Sequence, residues 1–184
     1  MRVPAASSSA ATTDADLVRA YRGGDERGAT ELVGRHAAAI ARFLTGAGAD
    51  QGDLDDLVQE TFIRAFRALQ GWRGEAAFRS WLFAIASNLL KDLHRRHRGR
   101  QIVPIHESGL AAGDDPAATL EASETERKLQ AGLGTLPRLQ REVFLLRAQQ
   151  GMEYEEIAQS LGTTPGAARV HYHHAVKRLR ELVA

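Results

Sequence analysis

Aromatic, amide and basic side chains gather in one stretch of this chain, in a pattern suited to holding nucleic acid. Trp72, Phe78, Trp81 and Phe83 precede Ser87, Asn88, Lys91, Arg95, Arg96 and Arg98. Aromatic faces stack on unpaired bases, and cations beside them neutralise phosphates. At 100° per residue, Phe78, Trp81, Leu82, Ile85, Leu89 and Leu93 form an apolar stripe on a helix over about residues 77–98. Ser80, Ala84, Ser87, Asn88, Lys91, Arg95 and Arg98 fall on the adjoining side, small and polar at its start and basic at its end. Asn88 both donates and accepts, so it can read a base edge. The same aromatics also suit a core, and the same basic run a solvated helix end.

A second group is acidic. Asp53, Asp55, Asp56, Gln59 and Glu60 crowd the first two turns of a helix that Asp53 would cap. A helix N-terminus favours some of these charges through its dipole. The rest form a face fit for a basic protein partner. A third group is histidine: His94 and His97 end one helix, and His171, His173 and His174 lie in another. Their spacing could share a metal, but phosphate or base contact is the plainer reading. No nucleophile–base pair, glycine-rich phosphate loop or metal set stands out, so no catalytic role and no cofactor is expected.

The run EYEEIAQSLGTTPGAARV (residues 153–170) reads as a short helix, a tight turn and a second helix. Gly162 suits the left-handed end of the first helix, and Pro165 the first turn of the second. Ala158 is small where two helices must cross, and Ile157, Leu161 and Ala168 form the buried seam. This is the helix-turn-helix that lays one helix in the DNA major groove.

The elements that must position these groups are helical throughout. A short helix from Asp14 to Tyr21 stops at Gly23 and Gly24. A second carries Ala29, Leu32, Val33, His36, Ile40, Phe43 and Leu44. A third places Leu54, Leu57, Val58, Phe62, Phe66 and Leu69 inward, ahead of a loop bracketed by Gly71 and Gly74. The expected fold class is all-α. Residues 1–13 form a disordered tail, 14–98 a four-helix domain, 99–123 a flexible acidic linker, and 124–184 a helix-turn-helix domain opened in part by Pro137.

The net charge of +1 conceals segregation. Residues 61–100 hold nine basic and two acidic groups, residues 101–126 hold no Lys or Arg and six acids, and residues 127–184 hold nine and five. Two basic blocks around an acidic one suggest two nucleic-acid-facing surfaces and a segment that avoids DNA. The 184 residues include no Cys, which removes disulfides and thiolate chemistry and fits a reducing cytoplasm. The longest apolar stretch, residues 81–90, is about half of what a membrane span needs, so no membrane insertion is expected.

Four runs together resemble the extracytoplasmic-function (ECF) sigma factors of the sigma-70 family of RNA polymerase subunits. They are DLDDLVQETFIRAF (53–66), FRSWLFAIASNLLKD (78–92), LPRLQREVFLLR (136–147) and the helix-turn-helix. The resemblance implies that Asp53, Asp55, Asp56, Gln59 and Glu60 dock on core RNA polymerase. It implies that Trp72, Ser80, Ser87, Asn88, Lys91, Arg95, Arg96 and Arg98 read the −10 promoter element and its melted non-template strand. Asn88 would help hold a base turned out of the stack, at a few kcal/mol of unstacking. Thr164, Pro165, Ala167, Arg169, Val170, His171, His173, His174 and Lys177 would read the double-stranded −35 element. The acidic linker would thread toward the RNA exit path, and an anti-sigma factor is a further implied partner. The recognition helix departs from the usual pattern: Arg169 is its one permanent cation near the start, which implies an unusual promoter sequence. The alternative is a free-standing dimeric helix-turn-helix regulator, which leaves the acidic third helix without a job.

Overall fold

The structure is a computed structural model, and it describes residues 12–74, 76–100 and 124–183. Most of the expected tail and linker (residues 1–11 and 101–123) lies outside the described residues. Among the described residues every regular element is helical.

α1 (Asp14–Arg22) is opened by a reciprocal cap. The Asp16 N–H donates to the Thr13 hydroxyl at 3.2 Å, and the Thr13 N–H donates back to the Asp16 carboxylate at 3.1 Å. The Thr13 hydroxyl also donates to that carboxylate at 2.7 Å, and this bond, with the one from the Thr13 N–H, holds the Asp16 carboxyl below its usual range. α2 (Glu26–Ala47) starts at Asp25, whose carboxylate accepts the Arg27 N–H at 3.0 Å, and ends on left-handed Gly48. α1 crosses α2 at Gly28, where any Cβ would sit 2.5 Å from the Leu17 carbonyl oxygen.

α3 (Gln51–Ala68) begins earlier than the acidic pattern suggests. Asp50 holds the cap position and Asp53 lies inside the first turn, because the helix tolerates Gly52. α3 tightens into a 3₁₀ turn at Leu69–Gly71, and a loop then carries Trp72 to α4 (Phe78–Arg100). α4 runs two residues past the predicted domain edge and lies at the centre of the fold. Leu82, Phe83, Ala86, Leu89 and Leu90 are all buried along it. Phe83 is therefore core, not a stacking platform: its ring meets Phe43 of α2 edge-on at 5.3 Å. Each such large side chain contributes about 1.5–3 kcal/mol of burial.

The C-terminal half comprises α5 (Glu124–Thr135), α6 (Arg138–Phe144), a single π-helical stretch Leu145–Gln149, α7 (Tyr154–Leu161) and α8 (Pro165–Val183). Gly162 takes the left-handed conformation at φ 64° and closes α7. Ile157, Ala158 and Ala168 are buried in the seam between α7 and α8, and Leu161 is half-buried beside it. The π-helical stretch has no counterpart in the sequence reading.

The two halves do not stand apart. α7 packs on α4, and α6 with its π-helical extension packs on α2, so that one hydrophobic core runs from Leu17 to Leu179. Leu145 seats against Gly46, where a Cβ would come within 2.7 Å of its Cδ2.

Candidate nucleic-acid interface

The acidic face of α3 divides into two stripes. Asp53, Asp56 and Glu60 line a groove of about 280 Å³ together with Leu57, Arg64, Leu89, Leu93 and Arg96. Asp55 and Gln59 are exposed on the neighbouring stripe. Glu60 is paired with Arg64 at 2.7 Å, an i, i+4 contact on the helix surface. The sequence resemblance sets Arg96 among the DNA-facing cations; in the fold it lines this groove with the carboxylates. The i, i+3, i+7 spacing of the acids gave no sign of it, because the groove joins two helices.

The same end of the molecule brings Asp50, Asp53 and His97 together, with ligand atoms within 4.8 Å of one another. Among the described residues this is the one set whose donors could share a divalent cation. All three side chains are exposed or half-buried, and exposed carboxylates are common without a metal. The His94–His97 pairing that the spacing allows is absent from that set; His94 Nε2 contacts the Gly48 carbonyl at 3.1 Å.

Along α4 the predicted reading face splits in two. Ser80 and Ser87 are 1% and 5% exposed, covered by the C-terminal half. Asn88, Lys91, Arg95, Arg96 and Arg98 are exposed. Arg95 is held partly by Asp92 at 3.2 Å. Ahead of the helix, Trp72 and Trp81 stand 6.3 Å apart between ring centroids and line a pocket of about 390 Å³ with Gly71, Arg73 and Ala76. Phe78 is buried behind them, with its ring 6.0 Å from each indole. The Arg22 guanidinium sits 5.8 Å from the Trp72 ring and donates to the carbonyls of Leu69 and Trp72, which fixes the loop. The Trp72 Nε1–H is buried without a partner. An aromatic pocket with an arginine at its rim can stack and hold an unpaired base. Arg73 and Ala76 were missed by the sequence reading, and Asn88 lies two helical turns beyond this pocket.

On α8 the exposed face comprises Thr164, Pro165, Gly166, Arg169, Val170, His173, His174 and Lys177. The Thr164 hydroxyl accepts the Ala167 N–H at 3.1 Å, so it caps the helix. Val170 is 52% exposed, unusual for a branched apolar residue and suited to apolar contact with a base edge. Arg169 is held over the Tyr154 ring at 5.1 Å, which limits the directions it can point. Ala167 is half-buried. His171 turns inward, with its Nδ1 enclosed and unpartnered, and so leaves the reading face to its neighbours. Tyr172 is also inward, stacked on Phe144 at 6.0 Å.

Comparisons with known proteins agree along the whole molecule. Residues 32–100 match the family model for sigma-70 region 2, and residues 126–179 that for sigma-70, region 4. The chain is 34% identical to the RNA polymerase sigma factor CnrH of Cupriavidus metallidurans, over 92% of this chain and 95% of that one. It is 36% identical to the ECF RNA polymerase sigma factor SigE of Mycolicibacterium smegmatis, over 84% of this chain and 61% of the relative. The solved structure of CnrH in complex with the cytosolic domain of CnrY superposes with a TM-score of 0.71 at 29% identity, covering 92% and 96% of the two chains. With an exposed helix-turn-helix, an aromatic–basic surface and an acidic α3 face in one chain, the protein belongs to the ECF sigma factors of the sigma-70 family, which bind core RNA polymerase and direct it to initiate at promoter DNA.

Proposed function

We propose that three surfaces divide this work. The α3 face, with Asp53, Asp55, Asp56, Gln59 and Glu60, docks on core polymerase, and Arg96 tunes the charge of its groove. The Trp72–Trp81 pocket and α4, through Ser80, Ser87, Asn88, Lys91, Arg95 and Arg98, read and open the −10 element. The exposed side of α8, led by Arg169, Val170, His173, His174 and Lys177, reads the −35 element in the major groove. These assignments follow residues 14–98 and 124–184 as the two working modules.

The observation that carries this reading is the open aromatic pocket of Trp72 and Trp81, with Arg73 in its lining, at the start of α4. Duplex DNA offers no unstacked base to fill it, whereas a melted strand does. The reading needs no catalytic group, since polymerase supplies the chemistry, and it places the protein in the cytoplasm with polymerase. No helix among the described residues is long and apolar enough to cross a membrane. CnrH was solved with a protein domain bound, which supports an anti-sigma factor as a further partner of this chain.

The test is in vitro transcription with core enzyme on a genomic library. Discrete starts that depend on this chain, each preceded by two spaced motifs, are expected. Starts that vanish with Arg169→Ala but persist with Trp72→Ala would detach the pocket from promoter opening.

A further inference from the structure

We infer that Arg22 of α1 is a positioning residue for promoter opening: it sets the loop that holds Trp72 beside Trp81, and so keeps the aromatic pocket formed before an unpaired base arrives. This rests on the role of the pocket proposed above and extends it to α1, which contributes no side chain to the pocket lining.

The loop needs such a support. One turn bond, from the Trp72 N–H to the Leu69 carbonyl at 3.1 Å, leads into it. Gly71 and Gly74, the latter at φ 77°, bracket Trp72 and give the backbone wide freedom there. Arg22 supplies the missing restraint. Its Nε donates to the Leu69 carbonyl at 3.2 Å, and its Nη2 donates to the carbonyls of Leu69 and Trp72. The planar fork of a guanidinium holds both ends of the turn in one geometry, which the point charge of a Lys does not reproduce. The same guanidinium lies 5.8 Å from the Trp72 ring, so one group restrains both backbone and indole.

Arg22 is itself anchored. His36 Nε2 lies 2.7 Å from the Asp14 carboxylate and Arg35 Nη1 lies 3.3 Å from it, which ties α1 to α2. The Tyr21 ring sits 5.2 Å from Phe66 of α3. The His36 ring also stands 5.8 Å from Phe78, the residue that backs both indoles. The helix pair α1–α2 therefore reaches the pocket at two points, through Arg22 at the loop and through His36 and Phe78 behind it.

Arg22 is exposed, whereas α1 is held to the core by buried Leu17 and Val18. Substitution of an exposed side chain rarely unfolds a domain, so the loss of Arg22 acts on the loop. A loop ordered in advance spares its ordering entropy when a base enters. Without Arg22 that cost falls on the opening step and not on duplex binding.

The two tryptophans of the chain both line this pocket, so intrinsic fluorescence reports it directly. In the full-length protein Arg22→Ala should raise acrylamide quenching, and Arg22→Lys should fall between it and the native chain. With core polymerase on a promoter from the transcription library, Arg22→Ala should lower open-complex formation about fivefold, and Arg22→Lys should restore part of the loss. Closed-complex affinity should change by less than about twofold, which also reports that the domain is folded. In a Trp72→Ala background the further loss from Arg22→Ala should disappear, because two residues that act through one pocket are not additive. Unchanged quenching, unchanged opening, equal losses in the closed and open complexes, or full additivity with Trp72→Ala would each overturn the inference. A Trp72→Ala chain that opens promoters at the native rate would instead overturn the role of the pocket, and the positioning role with it.

Discussion

The two surfaces proposed to read DNA differ in how available they are. The exposed side of α8 presents Arg169, Val170, His173, His174 and Lys177 to solvent, with the turn before it closed by Gly162. The reading side of α4 is divided: Asn88 and the cations beyond it are open, while Ser80 and Ser87 are enclosed. The proposed duplex reader is thus open over most of its face, with His171 turned inward, and the proposed strand opener is open only in part. The difference follows from side-chain size. α8 carries long or branched side chains on its outer face, which keep other helices off. α4 begins with Ser, Ala and Ser, which let α7 and α6 come close. A face meant to meet a second helix and a face meant to meet a base can both be small and polar.

Predictions that break or sharpen this comparison run from large effects to small. Asp56→Lys/Glu60→Lys reverses charge away from both readers. It should weaken core polymerase binding about 100-fold, through like-charge juxtaposition, while leaving the helical circular dichroism unchanged. Unchanged affinity would remove the α3 face from the docking surface. Asn88→Ala acts at the boundary between the open and covered halves of α4. It should lower open-complex formation about tenfold, as permanganate footprinting would read, with little change in closed-complex affinity. Equal losses in both steps would deny Asn88 a role in strand opening. Arg169→Ala should lower binding of a duplex −35 fragment by roughly fivefold, measured by fluorescence anisotropy. A loss confined to opening assays would contradict the assignment of α8. Lys91→Ala should change affinity least, and its signature is a salt-dependence slope reduced by about 0.9, one phosphate contact fewer. An unaltered slope would show that the open half of α4 does not follow the backbone.

Much of the fold was legible because its signals are local. Gly162 at φ 64°, Pro165 at the start of α8 and the apolar seam of Ile157 and Ala168 announce the helix-turn-helix within a dozen residues. The stripe of Phe78, Leu82 and Leu89 likewise gives the inner side of α4. What was not legible joins residues far apart in the chain. Arg96 reaches the α3 groove, His97 meets Asp50 and Asp53, and Ser87 finds Glu142 across 55 positions. Phe83 looked like a stacking ring because periodicity along one helix does not show that α2 covers a second side. His171 looked outward for the same reason. The base-sized pocket depended on the loop conformation fixed by Arg22, some fifty residues upstream of Trp72.

The central claim is that this chain acts on DNA as part of the transcribing enzyme. Footprinting a DNA fragment selected from the transcription library, with the chain alone, core polymerase alone and both together, tests it most directly. The account predicts protection of two spaced elements, with strand opening at the downstream one, only when both proteins are present. Protection of a palindromic site by the chain alone, unchanged by core polymerase, would contradict it.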